Sequence, residues 1–554
     1  MKTLIIYPDS FGIKPDSEVT VSFRNLLNMA SESAKSKSLL LEKGNYVFLS
    51  KHANEREVYI TNTIADEEYT KGEKKHIHKI ALDFKGINDL EIDFNNSSII
   101  LDGQMTNIVI ENCENITLKN LTIETVQPNV HKITILKSSP FYVTFKIDEA
   151  SNYKEENGEY FWYGTDYKLE FTESKNTGGW TPTAKPSNYG HLVRNGAHPF
   201  FGVSSIKEIA PRVFKARYII PKDFEVGQVF YVFPKVRKNV GIFVDGSKNI
   251  RLENVKQRFN YSLGFVAQNS ENIFLDKLDF SPREGSEVDF SSLSGFLQIC
   301  MCRGTVSVKN SNFSSTADDG CNVHGVYFKI VEMTGDTAIV RFGHRRSFGF
   351  NPLRVNDTIA FVDSKTLMEL GTSKILQSEM IDRNTIKLKL STRNNPVGAN
   401  VVIEDVTASP NFEFSENTLN RVASRGLVVT SRGRILIENN KILNTGMSGL
   451  VVSDDALTWF ESGPVKTMMV RGNAFMNCED NAILILPENR RFAGFVHENI
   501  FIENNLFVLN SIPALNVNSS RNIVMRDNVY KGKPSFGKYV ISKNVEGLTA
   551  DTPN

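Results

Sequence analysis

The sequence predicts an all-β protein: a right-handed parallel β-helix interrupted by two inserted β-barrel-like domains. A strand motif punctuated by asparagine recurs along the chain. The recurrence stops in two long segments that are themselves rich in strand-like runs. The chain also has 554 residues, more than one compact core accommodates, whereas a solenoid escapes that limit by growing in one direction.

The recurring motif alternates apolar and polar residues and then turns at asparagine, which is typical of a strand followed by a polar corner. Where nothing intervenes, successive copies lie 23 residues apart, which fits one coil of strands and short turns. Asparagine tolerates the left-handed conformation of such corners, and aligned asparagines can hydrogen-bond into ladders. The copies include NIRLENVKQ from Asn249, NIFLDKLDF from Asn272, FEFSENTLN from Phe412, ILIENNKIL from Ile435, IFIENNLFV from Ile500 and IVMRDNVYK from Ile523.

The pattern divides the chain into five segments. Residues 1–130 are predicted to form an N-terminal cap and the first coils, with an amphipathic helix in SEVTVSFRNLLNMASESAKS covering the open end of the solenoid. Residues 131–240 and 326–408 lack the coil spacing and are predicted to form the two inserted domains. Residues 241–325, which carry Asp318 and Asp319, and residues 409–554 return to coils.

Composition excludes several classes of protein. Lys and Arg number 64 against 63 Asp and Glu, so the basic excess of a nucleic-acid binder is missing. No apolar run reaches the ~18 residues of a membrane span. The opening MKTLIIYPDSFG has too short an apolar run for a signal peptide. We therefore expect a cytoplasmic protein, or a periplasmic or secreted one if a signal has been removed.

The five cysteines form no C-x-x-C pair, which favours small buried hydrophobes over metal or redox chemistry. Cys300 and Cys302 lie two residues apart, so in one strand they are expected to share a face.

The sharpest chemical motif is the adjacent carboxylates Asp318 and Asp319 in TADDGCNVHG, just before the second insert. Like charges held close raise one pKa, which is how a carboxyl group stays protonated to act as an acid. A solvated turn or a calcium site is the alternative for such a pair. His324, five residues on, is either packed at the insert junction or a hydrogen-bond partner of substrate.

A second acidic pair, Asp454 and Asp455, precedes Trp459 and Glu461 in SDDALTWFESG. An aromatic face for the C–H side of a sugar ring beside carboxylates for its hydroxyls is typical of a carbohydrate site. Core packing is the alternative for Trp459. A group of arginines that includes Arg432 forms either a solvated or hydroxyl-binding face, or a site for an acidic polysaccharide.

Several motifs in fixed order resemble glycoside hydrolase family 110, the exo-acting α-1,3-galactosidases typified by Bacteroides enzymes that act on blood-group B glycans. The resemblance implies a β-helix with two inserted β-barrels and metal-independent hydrolysis with inversion, in which one carboxyl group protonates the leaving oxygen and another activates water. The matching stretches are REVYITNT from Arg56, DGQMT from Asp102, NITLKN from Asn115, DDGCNVHG from Asp318, RGLVVTSRGR from Arg425, SDDALTWFESG from Ser453, PEN from Pro487 and VHENI from Val496.

The resemblance implies that Asp318 is the general acid and Asp319 part of the base system, with the roles open to exchange. We expect no metal and no cofactor. The expected partner is a glycan with terminal galactose, and the sequence is compatible with a homodimer. The residues expected to contact substrate are Asn322, His324, Arg432, Asp455, Trp459 and Glu461.

The chain departs from the family at one position. The family places an aspartate one coil before the pair, and alignment on Cys302-Arg303-Gly304 puts Gly295 there. Another acid such as Asp289, Asp455 or Glu461 takes its place, or the substrate differs, or the protein binds glycans with little turnover. A non-catalytic glycan-binding β-helix and a polygalacturonase-like hydrolase therefore stand beside the galactosidase hypothesis, and a rate gain in Gly295→Asp would identify this departure as limiting.

Overall fold

The computed structural model describes residues 3–63, 72–172, 181–185, 188–195, 198–234, 236–535 and 537–553. Strands dominate them, and the polypeptide winds into a solenoid of stacked parallel strands from which two β-rich domains emerge, as the sequence predicts. No helix within these ranges is both long and apolar enough to cross a membrane.

The N-terminal cap contains the α-helix Thr20–Glu32 and two short 3-10 helices, Pro8–Phe11 and Ser50–His52. Phe23, Leu26 and Leu27 of the α-helix are buried against the first coils. The strands of this segment are β1 Leu4–Ile6, β2 Ser17–Glu18, β3 Lys37–Leu40, β4 Asn45–Leu49, β5 Asn54–Glu57, β6 Ile77–Lys85, β7 Asn88–Asp102, β8 Thr106–Glu111 and β9 Glu114–Thr125.

The first domain outside the solenoid, insert I, has a seven-stranded antiparallel sheet in the order β16-β15-β19-β10-β11-β18-β17 and a smaller sheet of β12, β13 and β14. Its own core surrounds the buried Trp162. Its strands are β10 His131–Ser139, β11 Tyr142–Ile147, β12 Tyr153–Glu156, β13 Glu159–Gly164, β14 Tyr167–Glu170, β15 Thr181–Lys185, β16 Asn188–Asn195, β17 Val203–Ala210, β18 Val213–Tyr218 and β19 Val229–Val232.

The solenoid resumes after insert I and leads without a break into the second inserted domain through its last strand, β28. The strands of this part are β20 Ile242–Asp245, β21 Lys248–Gln257, β22 Phe265–Gln268, β23 Glu271–Asp276, β24 Asp279–Phe280, β25 Leu297–Cys300, β26 Arg303–Lys309, β27 Asn312–Thr316 and β28 Cys321–Thr334.

The second inserted domain, insert II, is a closed six-stranded barrel. It comprises β28 together with β29 Thr337–Phe342, β30 Thr358–Asp363, β31 Glu369–Met380, β32 Thr385–Leu390 and β33 Val401–Asp405. The antiparallel order is β28-β29-β32-β31-β30-β33, and β33 pairs back onto β28. Because β28 belongs to both units, the barrel is rigidly joined to the solenoid at this strand.

The C-terminal coils complete the solenoid. Their strands are β34 Asn411–Ser415, β35 Thr418–Val422, β36 Leu427–Val429, β37 Arg434–Glu438, β38 Lys441–Thr445, β39 Leu450–Val452, β40 Glu461–Ser462, β41 Thr467–Arg471, β42 Ala474–Cys478, β43 Ile483–Ile485, β44 His497–Glu503, β45 Leu506–Val508, β46 Leu515–Arg526, β47 Val529–Lys531 and β48 Val540–Ala550.

Stacked apolar side chains hold the coils together from inside. Ile250 pairs with Ile273 and Ile273 with Val306, and such columns merge into one buried core along the solenoid. Period-2 alternation explains this, because every second residue of a strand points inward.

Asparagines form the predicted ladders at the corners. Asn440 donates from its backbone and its side-chain amide to Oδ1 of Asn473, both at 2.9 Å, and Asn473 does the same to Asn505 at 2.9 and 3.0 Å. An outer ladder joins Asn249 and Asn272, whose φ angles of 56° and 58° lie in the left-handed region. The ladders therefore satisfy polar groups that a buried corner would otherwise leave without partners.

All five cysteines are buried and free, as predicted. The expectation that Cys300 and Cys302 share a face is wrong. Cys300 packs in the core of insert II and Cys302 in the solenoid core, because the intervening Met301 has a φ of 53° and turns the chain between them.

Candidate active site

The candidate site lies on the outward face of β28, where this strand leaves the solenoid for insert II. Cys321 and Val323 point into the core, so Asn322 and His324 point outward. Asp318 and Asp319 lie in the turn just before this strand. The predicted residues of the DDGCNVHG motif thus follow one another along one edge of the solenoid.

Asp319 stands in a column formed by three successive coils. The register of β25 with β28, and of β28 with β36, places Gly295, Asp319 and Arg425 at the same position in their coils. Neighbouring strands of a sheet lie about 4.8 Å apart, so each member of this column contacts the next.

Four hydrogen bonds fix the carboxylate of Asp319. Arg425 binds it in a bidentate manner, with Nε donating to Oδ1 at 2.9 Å and Nη2 to Oδ2 at 2.6 Å. The Arg425 backbone N–H, at 3.2 Å, and the Ser424 hydroxyl, at 2.7 Å, also donate to Oδ1. Although burial opposes ionisation, these donors and the charges of Arg425 and Arg194 lower the pKa of Asp319 to about 2. Asp319 is therefore an anion near neutral pH.

Asp318 is held by two arginines from outside its own coil. Arg194, on β16 of insert I, donates to Oδ1, and Arg237, between insert I and β20, donates to Oδ2 at 2.5 Å. The backbone N–H of Asp319 donates to Oδ1 at 3.0 Å. The side chain of Asp318 remains 14% exposed, so it faces a space that solvent reaches.

Glu461 reaches the same face from β40, whose register places it opposite Val326 of β28. The Asn322 amide donates to both carboxylate oxygens of Glu461, at 3.1 and 3.3 Å. His324 Nε2 lies 3.6 Å from Glu461 Oε1 and 2.7 Å from the side-chain amide of Gln298. The structure therefore brings three of the residues expected to contact substrate into direct contact.

Parts of this chain match known protein families. A family model described as "GLAA-B beta-barrel domain II" matches residues 337–406, and one described as "Right handed beta helix region" matches residues 399–549. "Alpha-1,3-galactosidase A" of Bacteroides thetaiotaomicron is 31% identical over 452 residues, which are 80% of this chain and 77% of that protein. The chain belongs to the α-1,3-galactosidase family, glycoside hydrolase family 110.

Two further relatives extend the match. "Alpha-1,3-galactosidase B" of the same species is 29% identical and covers 85% of this chain and 75% of its own. "Alpha-1,3-galactosidase A" of Streptomyces avermitilis is 26% identical and covers 90% of this chain and 83% of its own. As a member of glycoside hydrolase family 110, the protein is a glycosidase, and the resemblance noted in the sequence is confirmed.

The two residues of the second acidic pair have different surroundings from the first pair. Asp454 is fully buried beside the Tyr327 hydroxyl, and burial raises its pKa well above the usual range. Asp455 accepts the backbone N–H groups of Leu457, Thr458 and Trp459 at 2.7–2.8 Å. Both oxygens of Asp455 are thus used to shape the loop that carries Trp459, and its predicted sugar contact stays a prediction.

Trp459 is 45% exposed, and its ring packs at 4.8 Å, centroid to centroid, against that of His344 from insert II. Burial lowers the pKa of His344 to about 4, so this ring is neutral near pH 7. The exposed indole is therefore available as an apolar platform.

Arg432 occupies the junction with insert II. Its guanidinium pairs with Glu404 of β33 and, at 3.4 Å, with Glu369 of β31. The structure thus gives Arg432 a role in holding the barrel against the solenoid, and its predicted contact with substrate stays a prediction.

Sequence reasoning missed Arg194 and Arg237 as parts of the site and gave Gln298 no role there. Arg194 lies 124 residues from its partner Asp318 and carries no motif of its own. The register of β25 with β28 could have identified Gln298, because it is one coil before Asn322 and points to the same face.

Gly295 has a backbone that suits only glycine. Its φ is +114°, which L side chains rarely adopt, and a Cβ there would lie 2.6 Å from the carbonyl oxygen of Asp319. An aspartate at this position would therefore displace Asp319, the residue that it is expected to assist. Gly295→Asp thus cannot test the missing carboxylate by itself.

Proposed function

We propose that this protein is an exo-acting α-galactosidase that releases terminal galactose from glycans. The linkage that it cleaves is α-1,3, and cleavage inverts the configuration at the anomeric carbon. The observation that carries the proposal is the Asp318–Asp319 pair, with each carboxylate held by arginines and facing the outward side of β28. The names of the family relatives supply the sugar and the linkage.

The different surroundings of the two aspartates support different roles. Asp319 is a fixed anion with a pKa of about 2, so it cannot donate a proton near neutral pH. Asp318 is then the general acid of the pair. Its Oδ1 accepts from Arg194 and from the backbone N–H of Asp319, whereas Oδ2 accepts from Arg237 and keeps a second lone pair for the proton that the leaving oxygen takes.

The enclosure of the site supports action on a chain end. Insert I reaches Asp318 through Arg194, and its strand β16 is anchored to the solenoid where His191 Nε2 donates to the Thr445 carbonyl at 3.0 Å. On the side of insert II, His344 meets Trp459. A face bounded by both inserts fits one terminal sugar better than the middle of a polymer, and Trp459 offers a surface for its C–H face.

A glycosidase of altered specificity is the second candidate, and Gly295 favours it. The resemblance to the family implies a carboxylate at this position, and the backbone here excludes one. Such a protein would bind α-galactosides but release no galactose from them.

The test is galactose release from an α-1,3-linked galactosyl disaccharide and from aryl α-galactosides. The wild type and the surface control Asp336→Asn should be active, whereas Asp318→Asn should lose about 10²–10⁴-fold in kcat, the usual contribution of a general acid. Proton NMR should show β-galactose as the first product if the reaction inverts.

Each part of the proposal can fail separately. Binding without release from any α-galactoside would favour the second candidate. Release that survives in Asp318→Asn would refute the site, and α-galactose as the first product would refute inversion.

A further inference from the structure

The inverting reaction needs a second carboxyl group that takes a proton from water, and Asp319 is poorly suited to that step. Oδ1 of Asp319 accepts three hydrogen bonds, and Oδ2 accepts one, from Nη2 of Arg425. A water molecule that is to be deprotonated must itself donate to the base, so at Asp319 it is restricted to the second lone pair of Oδ2. Asp319 serves better as a fixed charge that aligns Arg425.

We propose that Glu461 is the catalytic base that deprotonates the hydrolytic water, an inference that rests on the proposed galactosidase function. Asn322 donates one amide to its two oxygens at 3.1 and 3.3 Å, which leaves further lone pairs free for a water molecule. The Glu461 side chain is 20% exposed, so water can reach it.

The acids of the second pair and Asp289 are less suitable. Asp455 uses both oxygens to bind backbone N–H groups of its own loop. Asp454 is fully buried. Asp289 accepts the Tyr231 hydroxyl at 2.8 Å and pairs with Arg421 and Lys132, beside insert I. Of the acids weighed for the position of Gly295, Glu461 alone meets the outward face of β28.

The chain path limits how far Glu461 can lie from Asp318. Glu461 is bound to Asn322, and the Cα atoms of Asp318 and Asn322 are at most about 13 Å apart along an extended chain. The ~6.5–9.5 Å that separates the carboxyl groups of inverting glycosidases falls within this limit. Arg425 is close to both groups, since the charge of Asp319, followed by those of Glu461 and Asp318, raises its pKa.

His324 holds the wall of the site beside Glu461. Its Nδ1 lies 2.7 Å from the Gly325 carbonyl oxygen and must donate to it, so in the neutral ring Nε2 is an acceptor. The Gln298 amide donates to Nε2 at 2.7 Å, and Nε2 lies 3.6 Å from Glu461 Oε1. His324 is thus a positioning residue whose ring is fixed at both nitrogens.

The chemical step balances with these groups. The water oxygen forms a bond to the anomeric carbon while its proton passes to Glu461. The bond between the anomeric carbon and the glycosidic oxygen breaks, its electron pair stays on that oxygen, and the proton of Asp318 completes the leaving hydroxyl. Exchange with solvent then returns both carboxyl groups to their starting states.

The test compares the wild type, Glu461→Gln and the matched control Glu438→Gln, in which the altered side chain pairs with Arg471 on another part of the solenoid. With an aryl α-galactoside as substrate, Glu461→Gln should lose about 10²–10⁴-fold in kcat with KM changed only a few-fold. The acid limb of its pH–rate profile should disappear. Azide should restore turnover and yield β-galactosyl azide, because a small anion can replace the deprotonated water.

The outcomes separate this inference from the function on which it rests. A wild type that releases no galactose overturns both. A wild type that is active while Glu461→Gln retains at least a third of its kcat overturns the inference alone. The inference is also overturned if the loss of kcat/KM in Glu461→Gln comes wholly from a raised KM and azide gives no rescue. Glu461 would then only hold the sugar. Circular dichroism of each variant verifies the fold.

Discussion

Gly295→Ala probes the contact between the coil that contains Gly295 and the turn that carries Asp318 and Asp319. The alanine Cβ would stand 2.6 Å from the carbonyl oxygen of Asp319, and the backbone would keep a φ of +114°. The carbonyl belongs to a backbone that stacks between two coils, so it cannot rotate away as a flexible side chain would. The turn that carries Asp318 and Asp319 must shift instead.

Two terms set the size of the effect. A left-handed backbone costs a non-glycine residue roughly 1–2 kcal/mol. Overpacking in a filled interior costs about 1–3 kcal/mol more, so the total is about 2–5 kcal/mol. Gly86→Ala is the matched control within the solenoid, because Gly86 has a φ of +65° and no atom within 4 Å of the added Cβ. It should cost only the backbone term.

The assay is urea denaturation followed by circular dichroism, together with kcat on an aryl α-galactoside. Gly295→Ala should unfold at lower urea than Gly86→Ala and should lose activity that Gly86→Ala keeps. Equal midpoints and equal rates in the two variants would refute the reasoning, because the overlap with Asp319 would then have no consequence. By the same argument Gly295→Asp should lose activity rather than gain it.

Three further predictions concern the ladder, the aspartate and the indole. Asn473→Ala leaves the Asn440 N–H and a carbonyl oxygen without partners and should cost about 2–4 kcal/mol in urea denaturation; an unchanged midpoint would show that water replaces the ladder. Since the folded pKa of Asp319 is lowered to about 2, its ionisation stabilises the protein above pH ~4, and this stability is lost between pH 4 and 2. Asp319→Asn should therefore remove about 1 kcal/mol of the stability loss between pH 6 and pH 3, measured by urea denaturation at both pH values, and an equal loss in both proteins would contradict it. Trp459→Ala should raise KM up to about 10-fold by loss of stacking with little change in kcat or stability; an unchanged KM would exclude the indole from the sugar site.

The solenoid could be predicted because its pattern is local. Each copy of the motif carries its own alternation and its own asparagine corner, so Asn249 and Asn272 are recognisable without any knowledge of distant residues. The adjacent aspartates at 318 and 319 were recognisable for the same reason. Position along one strand then sufficed to bring Asn322 and His324 to the same face.

The parts that could not be predicted depend on how the inserts fold back onto the solenoid. Arg194 and Arg237 reach Asp318 from insert I and from its exit, and no periodicity encodes that approach. The two acidic pairs look alike in sequence, yet the burial of Asp454 is decided by a tyrosine 127 residues away. The same holds for Glu461, which meets Asn322 only because β40 pairs with β28.

The inner asparagine ladder has a consequence for the length of the coils. Its steps are 23, 33, 32 and 23 residues, from Asn417 through Asn440, Asn473 and Asn505 to Asn528. Coils that differ by ten residues therefore stay in alignment, and the surplus in one long coil includes the loop of Trp459 and Glu461. The ladder therefore accommodates a long loop at that corner, and this loop brings Trp459 and Glu461 to the site without changing the stacking of the coils.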